Sequence, residues 1–465
     1  MNERACFDRR HLWSSITLVL TMSAAAPASV LAQGFGIYEH SACAMARGAA
    51  GVAAPCEDGS AINVNPAGMA GRKGVTFGSG GMLVFGASEF TSDTGQRTSL
   101  DGGVSLVPHG YFVYGVDTRL SWGIGLYAPY GLGVKWPLDF EGRFVSYDST
   151  LKTIYVQPSV AYALNDRVSI GGGLTIGLSS VELNRREDLA TVPLGATGLS
   201  FGALVDNQTD FADTNLSASR ALGAGVNVGA LINAHERVRL GARYLSGIKF
   251  SYEGDATFTA IPGSYQVTKP NPIGFPVGTP IDPLVAEVMA SLPNQRARTE
   301  LKMPAQFVVG ASVQAAERVT LFFDYQWVDW SVFDTVTLDF ENPSTPDEHL
   351  IQGYGDTNAV RLGGELAMTP TLRLRTGYAF TQAAAPDQTV TPLLPEAKRN
   401  HLTAGLGWTP KSNMTVDLAY QFIAHADRRG RTTNPPAGEL PTIALNSGTY
   451  GSRGDLLSLT ITFRP

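Results

Sequence analysis

Leu457-Ser458-Leu459-Thr460-Ile461-Thr462-Phe463 sets an apolar side chain against a hydroxyl at every step. Successive side chains of a strand point to opposite faces, so this stretch has one greasy face and one polar face. The same beat recurs upstream. Met414, Val416, Leu418, Tyr420 and Phe422 alternate with Thr415, Asp417, Ala419 and Gln421. Val360, Leu362, Leu366 and Met368 alternate with Arg361, Gly363 and Glu365, and Val238, Leu240, Ala242 and Tyr244 with Arg239, Gly241 and Arg243. Ile154, Val156, Val160, Tyr162 and Leu164 follow the pattern too. In a soluble sandwich the apolar face would point inward. Here the opposite face carries charges that suit a wet interior, which leaves the apolar face for lipid.

The connections separate those two architectures. Short turns recur at Asp117-Thr118-Arg119, Asn165-Asp166-Arg167, His235-Glu236-Arg237, Ala316-Glu317-Arg318, Thr369-Pro370-Thr371 and Lys411-Ser412-Asn413, each between two alternating segments. The intervening connections are long and fall near 88–103, 129–145, 186–216, 257–296, 341–355, 384–396 and 428–447. A membrane barrel needs this sorting, with tight periplasmic turns and long outer loops; a sandwich does not. The count predicts an all-β fold, a 14-stranded antiparallel transmembrane β-barrel spanning 73–465, and closure follows from the need to satisfy every backbone group in lipid.

Composition agrees. Of 465 residues 16% are charged, 51 are glycine and 9% are aromatic, and mean hydropathy is +0.00, which fits many strands and turns. A net charge of −6 argues against a nucleic-acid partner, which would require a basic face. Residues 1–32 read as a secretory signal: Arg4, Arg9 and Arg10 precede a short apolar core at 16–26, and Val30-Leu31-Ala32 offers a cleavage site.

Between signal and wall, residues 33–72 show no sustained alternation. They begin Gln33-Gly34-Phe35-Gly36-Ile37-Tyr38-Glu39, are rich in Ala and Gly, and reach Asn63-Val64-Asn65-Pro66-Ala67-Gly68-Met69. A compact non-strand segment ahead of a closed barrel has its natural place in the lumen, as a plug. Cys43 and Cys56, 13 residues apart in an exported chain, form either a disulfide or two separate buried thiols. A bridge would contribute about 3 kcal/mol in the chain-entropy picture. No His or third Cys stands nearby at metal-ligand spacing.

Two outer loops carry apolar side chains. Residues 281–292 place them at helical spacing, with Asp282 as N-cap and Pro283 in the first turn. Ile273, Phe275 and Val277 precede this helix, and the 186–216 loop holds Leu194, Leu199, Phe201, Leu204 and Phe211. Leu199, Phe201, Leu204, Phe275, Leu284, Val285, Val288 and Met289 form a candidate landing site for an apolar ligand, or pack on one another as a cap over the barrel. Enzymatic chemistry finds no support. Gly198-Leu199-Ser200-Phe201-Gly202 matches a nucleophile pattern but lacks its strand–turn–helix setting, the seven histidines are scattered, and no cofactor fingerprint is present.

The ordered set Gly34-Phe35, Ala46-Arg47-Gly48-Ala49, Asn65-Pro66-Ala67, Pro129-Tyr130-Gly131-Leu132, Trp330-Ser331-Val332-Phe333, Arg375-Thr376-Gly377-Tyr378-Ala379 and Leu394-Pro395-Glu396 resembles the FadL-type outer-membrane transporters of long-chain fatty acids and other hydrophobic compounds. The resemblance runs along nearly the whole mature chain. It implies a monomeric barrel in the outer membrane of a Gram-negative bacterium, in contact with its lipid and without cofactor or metal. It implies uptake by facilitated diffusion: capture by outer loops, a lumen pocket involving Phe35, and sideways exit where the third strand bends. Pro129, which cannot donate to the ladder, and Gly131 supply a cause for the bend, or Pro129 simply ends the strand. Arg185 occupies the place of the family's basic contact to the ligand carboxylate; no second lysine matches the other head-group contact. Long-chain fatty acids are the expected cargo. An aromatic hydrocarbon, a lipid-acting barrel enzyme and an adhesin are the alternatives.

Overall fold

The computed structural model describes residues 35–101, 103–430 and 448–465. The predicted signal segment and Gly34 lie outside them. Among the described residues, fourteen antiparallel strands form one ring. They are β1 (Gly74–Ser92), β2 (Val104–Gly115), β3 (Leu120–Tyr127 and Gly131–Lys135), β4 (Asp148–Ala163), β5 (Val168–Asp188), β6 (Asp210–His235) and β7 (Val238–Leu245 and Ile248–Ala260). Then follow β8 (Gln295–Met303 and Gln306–Ala316), β9 (Val319–Val328 and Thr335–Phe340), β10 (Glu348–Ile351 and Thr357–Thr369), β11 (Leu372–Thr381), β12 (Arg399–Lys411), β13 (Met414–His425 and Arg428–Arg429) and β14 (Gly448–Phe463). The first strand pairs with the last over a continuous register from Phe77↔Phe463 to Ser92↔Gly448, so the barrel has no free edge there.

The alternation in the sequence becomes the two faces of the wall. Leu457, Leu459, Ile461 and Phe463 are exposed, while Ser458, Thr460 and Thr462 are buried. Leu418 and Tyr420 point out; Asp417, Ala419 and Gln421 point in. No helix among the described residues is long and apolar enough to cross a membrane; the strands do the crossing.

Residues 42–69 are inside this ring. They form α1 (Ala42–Ala46), α2 (Ala61–Val64) and a 3₁₀ turn (Pro66–Met69). Ala42 N–H donates to Thr460 of β14 (2.9 Å), Gly48 N–H to Thr403 of β12 (3.1 Å), and Gly51 and Val52 N–H both donate to Asp324 of β9 (2.8 and 2.9 Å). The wall makes room with glycine. A Cβ on Gly78 of β1 would collide with the Asp58 carbonyl, on Gly171 of β5 with Pro66, on Gly229 of β6 with Asn65. On Gly241 of β7 it would collide with Val52, on Gly363 of β10 with Arg47, and on Gly377 of β11 with Gly48. These strands lie all around the ring, so the segment's backbone is gripped from every side.

Outside, the helix predicted near 281–292 is α3, Asp282–Ala290, with Pro283 in its first turn. Its cap differs from the expectation by one residue. Ile281 holds the N-cap position, and the Asp282 carboxylate instead accepts from Tyr265 N–H (3.0 Å), tying the helix to the preceding loop.

Candidate functional site

The third strand breaks at residues 128–130. Its inner part pairs with both neighbours, Gly110↔Leu126 to Gly115↔Ser121 on β2 and Leu120↔Tyr162 to Tyr127↔Tyr155 on β4. Its outer part, Gly131–Lys135, pairs with β4. The outer half of β2, residues 104–109, pairs with β1. Between these two half-strands the wall is unzipped, and one backbone bond, Asp101 N–H to Lys135 O (2.8 Å), bridges its outer end. Val104 and Leu106, on the β2 side, are 57% and 65% exposed.

The start of the plug fills the break from within. Ile37 N–H donates to Pro129 O (2.8 Å), Gly131 N–H donates to Phe35 O (3.1 Å), and Gly36 bridges Tyr130. The missing ladder donor of Pro129 is therefore matched by a carbonyl that accepts from another segment. Tyr130 is turned inward and fixed: its hydroxyl donates to Pro304 O (3.1 Å) and accepts from Gln306 (2.9 Å), and its carbonyl accepts from Thr153 (2.6 Å). The Phe35 ring sits edge-on to Trp330 (4.9 Å between centroids), Phe333 (5.4 Å) and Tyr130 (6.1 Å).

Phe35 is also one wall of an apolar cavity of about 140 Å³. Leu132, Leu151, Tyr252, Leu301 and Phe333 line it, with Leu394 of the β11–β12 connection against it. The pocket thus joins the bent strand, the plug and an outer loop. A second, polar cavity of about 770 Å³ lies at the short-turn end, lined by Glu236, Pro370, Ser412, Arg464 and the underside of the plug.

The plug residues singled out in the sequence are anchors. Asn65 is fully buried; its amide donates to the carbonyls of Val52 (2.8 Å), Ala230 (3.1 Å) and Ala242 (3.3 Å), and its oxygen accepts from Ala67 N–H (3.2 Å). Pro66 opens the 3₁₀ turn. Arg47 pairs with Glu365 of β10 (2.6 Å), donates to Ala54 O (3.2 Å) and stacks over Phe322 (4.3 Å). Cys43 and Cys56 are joined by a disulfide.

The loop residues divide. Phe201, Leu204 and Val285 are buried in a small core shared by the two long loops, together with Phe211, Val267 and Ile281. Leu284, Val288 and Met289 pack against that core while partly exposed, and Leu199 and Phe275 are exposed. Thr268 N–H donates to Leu204 O (2.9 Å), so backbone bonds also join the loops. Burial, then the carboxylates of Asp210 and Asp282, raises the Tyr265 phenol above its ordinary pKa.

Arg185 is at the outer end of β5, where its guanidinium is occupied. It donates to both oxygens of Glu348 (2.5 and 2.9 Å) and to Glu187 (2.9 Å). Sequence reading found the arginine but not these partners, because Glu348 stands 163 residues away in a loop-like stretch. Most pocket-lining residues escaped it too; Phe35, Leu132, Phe333 and Leu394 were in the runs that carried a signal.

Residues 23–464 match the family described as outer membrane protein transport protein (OMPP1/FadL/TodX). The long-chain fatty acid transport protein of Escherichia coli O6:H1 is 22% identical over 438 residues, spanning 91% of this chain and 92% of that one. Outer membrane protein P1 of Haemophilus influenzae is 22% identical, spanning 88% and 89%. Among solved structures, a Pseudomonas aeruginosa FadL homologue superposes with a TM-score of 0.79 at 20% identity, covering 93% of this chain and 100% of its own. The P. putida toluene transporter TodX gives 0.67 at 19%, covering 94% and 99%. The closed barrel, its lipid-facing wall and a family match over most of the chain lead to one placement: the chain belongs to the OMPP1/FadL/TodX family of outer-membrane transport proteins.

Proposed function

We propose that the protein takes up hydrophobic molecules by passive diffusion, from the outer loops to the apolar lumen pocket and out sideways through the break in β3. The observation that carries this is the contact of Phe35 with both the pocket and the broken strand. A molecule entering the pocket presses on the peptide that closes the gap. Displacing residues 35–37 breaks two backbone bonds and one aromatic cluster, a modest cost beside the apolar area a ligand would bury. The exit then opens to the bilayer, where an apolar cargo is more stable than in periplasmic water. The polar cavity beneath the plug is a poor route for the same reason.

The exposed Leu199 and Phe275 and the half-buried Leu284, Val288 and Met289 serve as the outer landing surface. The relative named for long-chain fatty acids supports an acyl cargo, and the structure named for toluene supports an aromatic one. Deletion of the gene, followed by uptake of labelled oleate and of labelled toluene, tests the proposal. Loss of uptake of at least one supports it, and unchanged uptake of both refutes it.

A further inference from the structure

We infer that Glu348 is a specificity-determining residue that turns anionic amphiphiles away, so that the cargo is an uncharged, compact apolar molecule. This inference rests on the transport reading above.

Arg185 is two residues outward from Leu183, and Glu348 two residues outward from Leu350; both leucines line the pocket. Side chains two apart on a strand share a face at a spacing of roughly 6–7 Å. Glu348 also pairs in register with Leu338, another lining residue. The Glu187–Arg185–Glu348 group therefore forms the outer rim of the pocket, facing the loops from which cargo arrives.

Charge at this rim is unbalanced. One guanidinium serves two carboxylates, leaving a net negative charge, and Thr214 adds its hydroxyl to Glu187 (2.7 Å). The neighbouring cations are held in the same way: Arg143 by Asp210 (2.8 Å) and Arg186 by Asp213 (3.2 Å). Arg298, at the pocket's edge, is 70% exposed and faces Glu253 (3.2 Å). A ligand carboxylate would meet like charge at the rim and then lose its water in a cavity lined by leucines and aromatic rings. The Tyr252 hydroxyl inside is bonded to Ser179 (2.6 Å). A neutral ring or short hydrocarbon meets neither obstacle, and a cavity of about 140 Å³ is of the size that takes up benzene in other proteins.

Selection against a competitor by placed repulsion is a common device, and it is reversed by removing the repulsive group. p-Xylene and p-toluate share a ring and one methyl and differ in a methyl against a carboxylate, which is ionised at pH 8. Sealed equilibrium dialysis of the purified full-length protein at pH 8 reads their retention. The wild type is expected to retain p-xylene in preference to p-toluate. Glu348→Gln cancels the net charge and loosens the hold on Arg185, and should raise the p-toluate to p-xylene ratio about ten-fold. Heat-dependent gel migration reports whether the barrel has closed; should Glu348→Gln fail there, Glu187→Gln carries the same test with the Arg185–Glu348 pair intact. Equal retention of both probes by the wild type, or a ratio unmoved in the closed variant, overturns the inference while leaving transport standing. Retention of neither probe overturns the pocket itself, and the inference with it.

Discussion

Asn65 shows what a single side chain does here. Its amide saturates three carbonyls, one in the plug and two in the wall, and its oxygen takes a fourth partner. Each buried group left without a partner costs about 1–3 kcal/mol. Asn65→Ala should therefore loosen the plug without unfolding the wall, seen as raised ion conductance in planar bilayers; unchanged conductance would mean the bonds are redundant. Gly229→Val is the harsher version, because the new side chain would occupy the space of Asn65. Loss of heat-resistant gel migration is expected there, since wall and plug cannot both keep their positions. Asn65 was legible in the sequence as a turn anchor beside proline. Its wall partners were not, and neither was Asp324, which takes two plug amides from 272 and 273 residues away. Local pattern carries no information about which distant strand will face a given loop.

Elements with a local cause were easier to read than elements with a distant one. The break in β3 falls at Pro129, which has no N–H to donate, and α3 falls where the apolar spacing and Pro283 put it. What the sequence could not give is that residues 35–37 add a strand-like edge to the bend. Pro129→Val together with Gly131→Val would restore a ladder donor and remove the flexible residue; the Gly131 position has ordinary contact space, with Ile37 3.5 Å away. Uptake should fall while heat-dependent migration stays normal, and undiminished uptake would remove the lateral exit. The two long loops act as one element because they share a core. Val285→Asp buries a charge in that core. Whole cells carrying it should become sensitive to external protease within 189–209 and 261–294, whereas continued resistance would show that the loops are held by their backbone bonds alone.

At the scale of the molecule, the barrel was the most legible feature, because alternation within strands and the sorting of short and long turns between them are both local and recur along all fourteen strands. The six short turns fall where hairpin chemistry put them. The pocket was the least legible, since it is assembled from eight strands, β3 to β10, a loop and the plug. The Cys43–Cys56 bond belongs to this scale as well, because both cysteines line the polar cavity at the short-turn end. Cys43→Ser with Cys56→Ser should leave the barrel closed but make Arg47 cleavable by trypsin from that side, the loop having lost a constraint worth about 3 kcal/mol; full resistance would assign the plug's stability to the wall contacts instead. Those contacts have a consequence of their own. Carbonyls and amides of residues 47–66 are seated against glycines on opposite sides of the cylinder, and the cystine closes residues 43–56 into a loop. It cannot travel like a piston without losing its grip in every direction at once. The peptide ahead of it hangs on two backbone bonds to the third strand, so the proposed sideways exit would open by peeling a short ribbon from a seam while the stopper behind it stays seated.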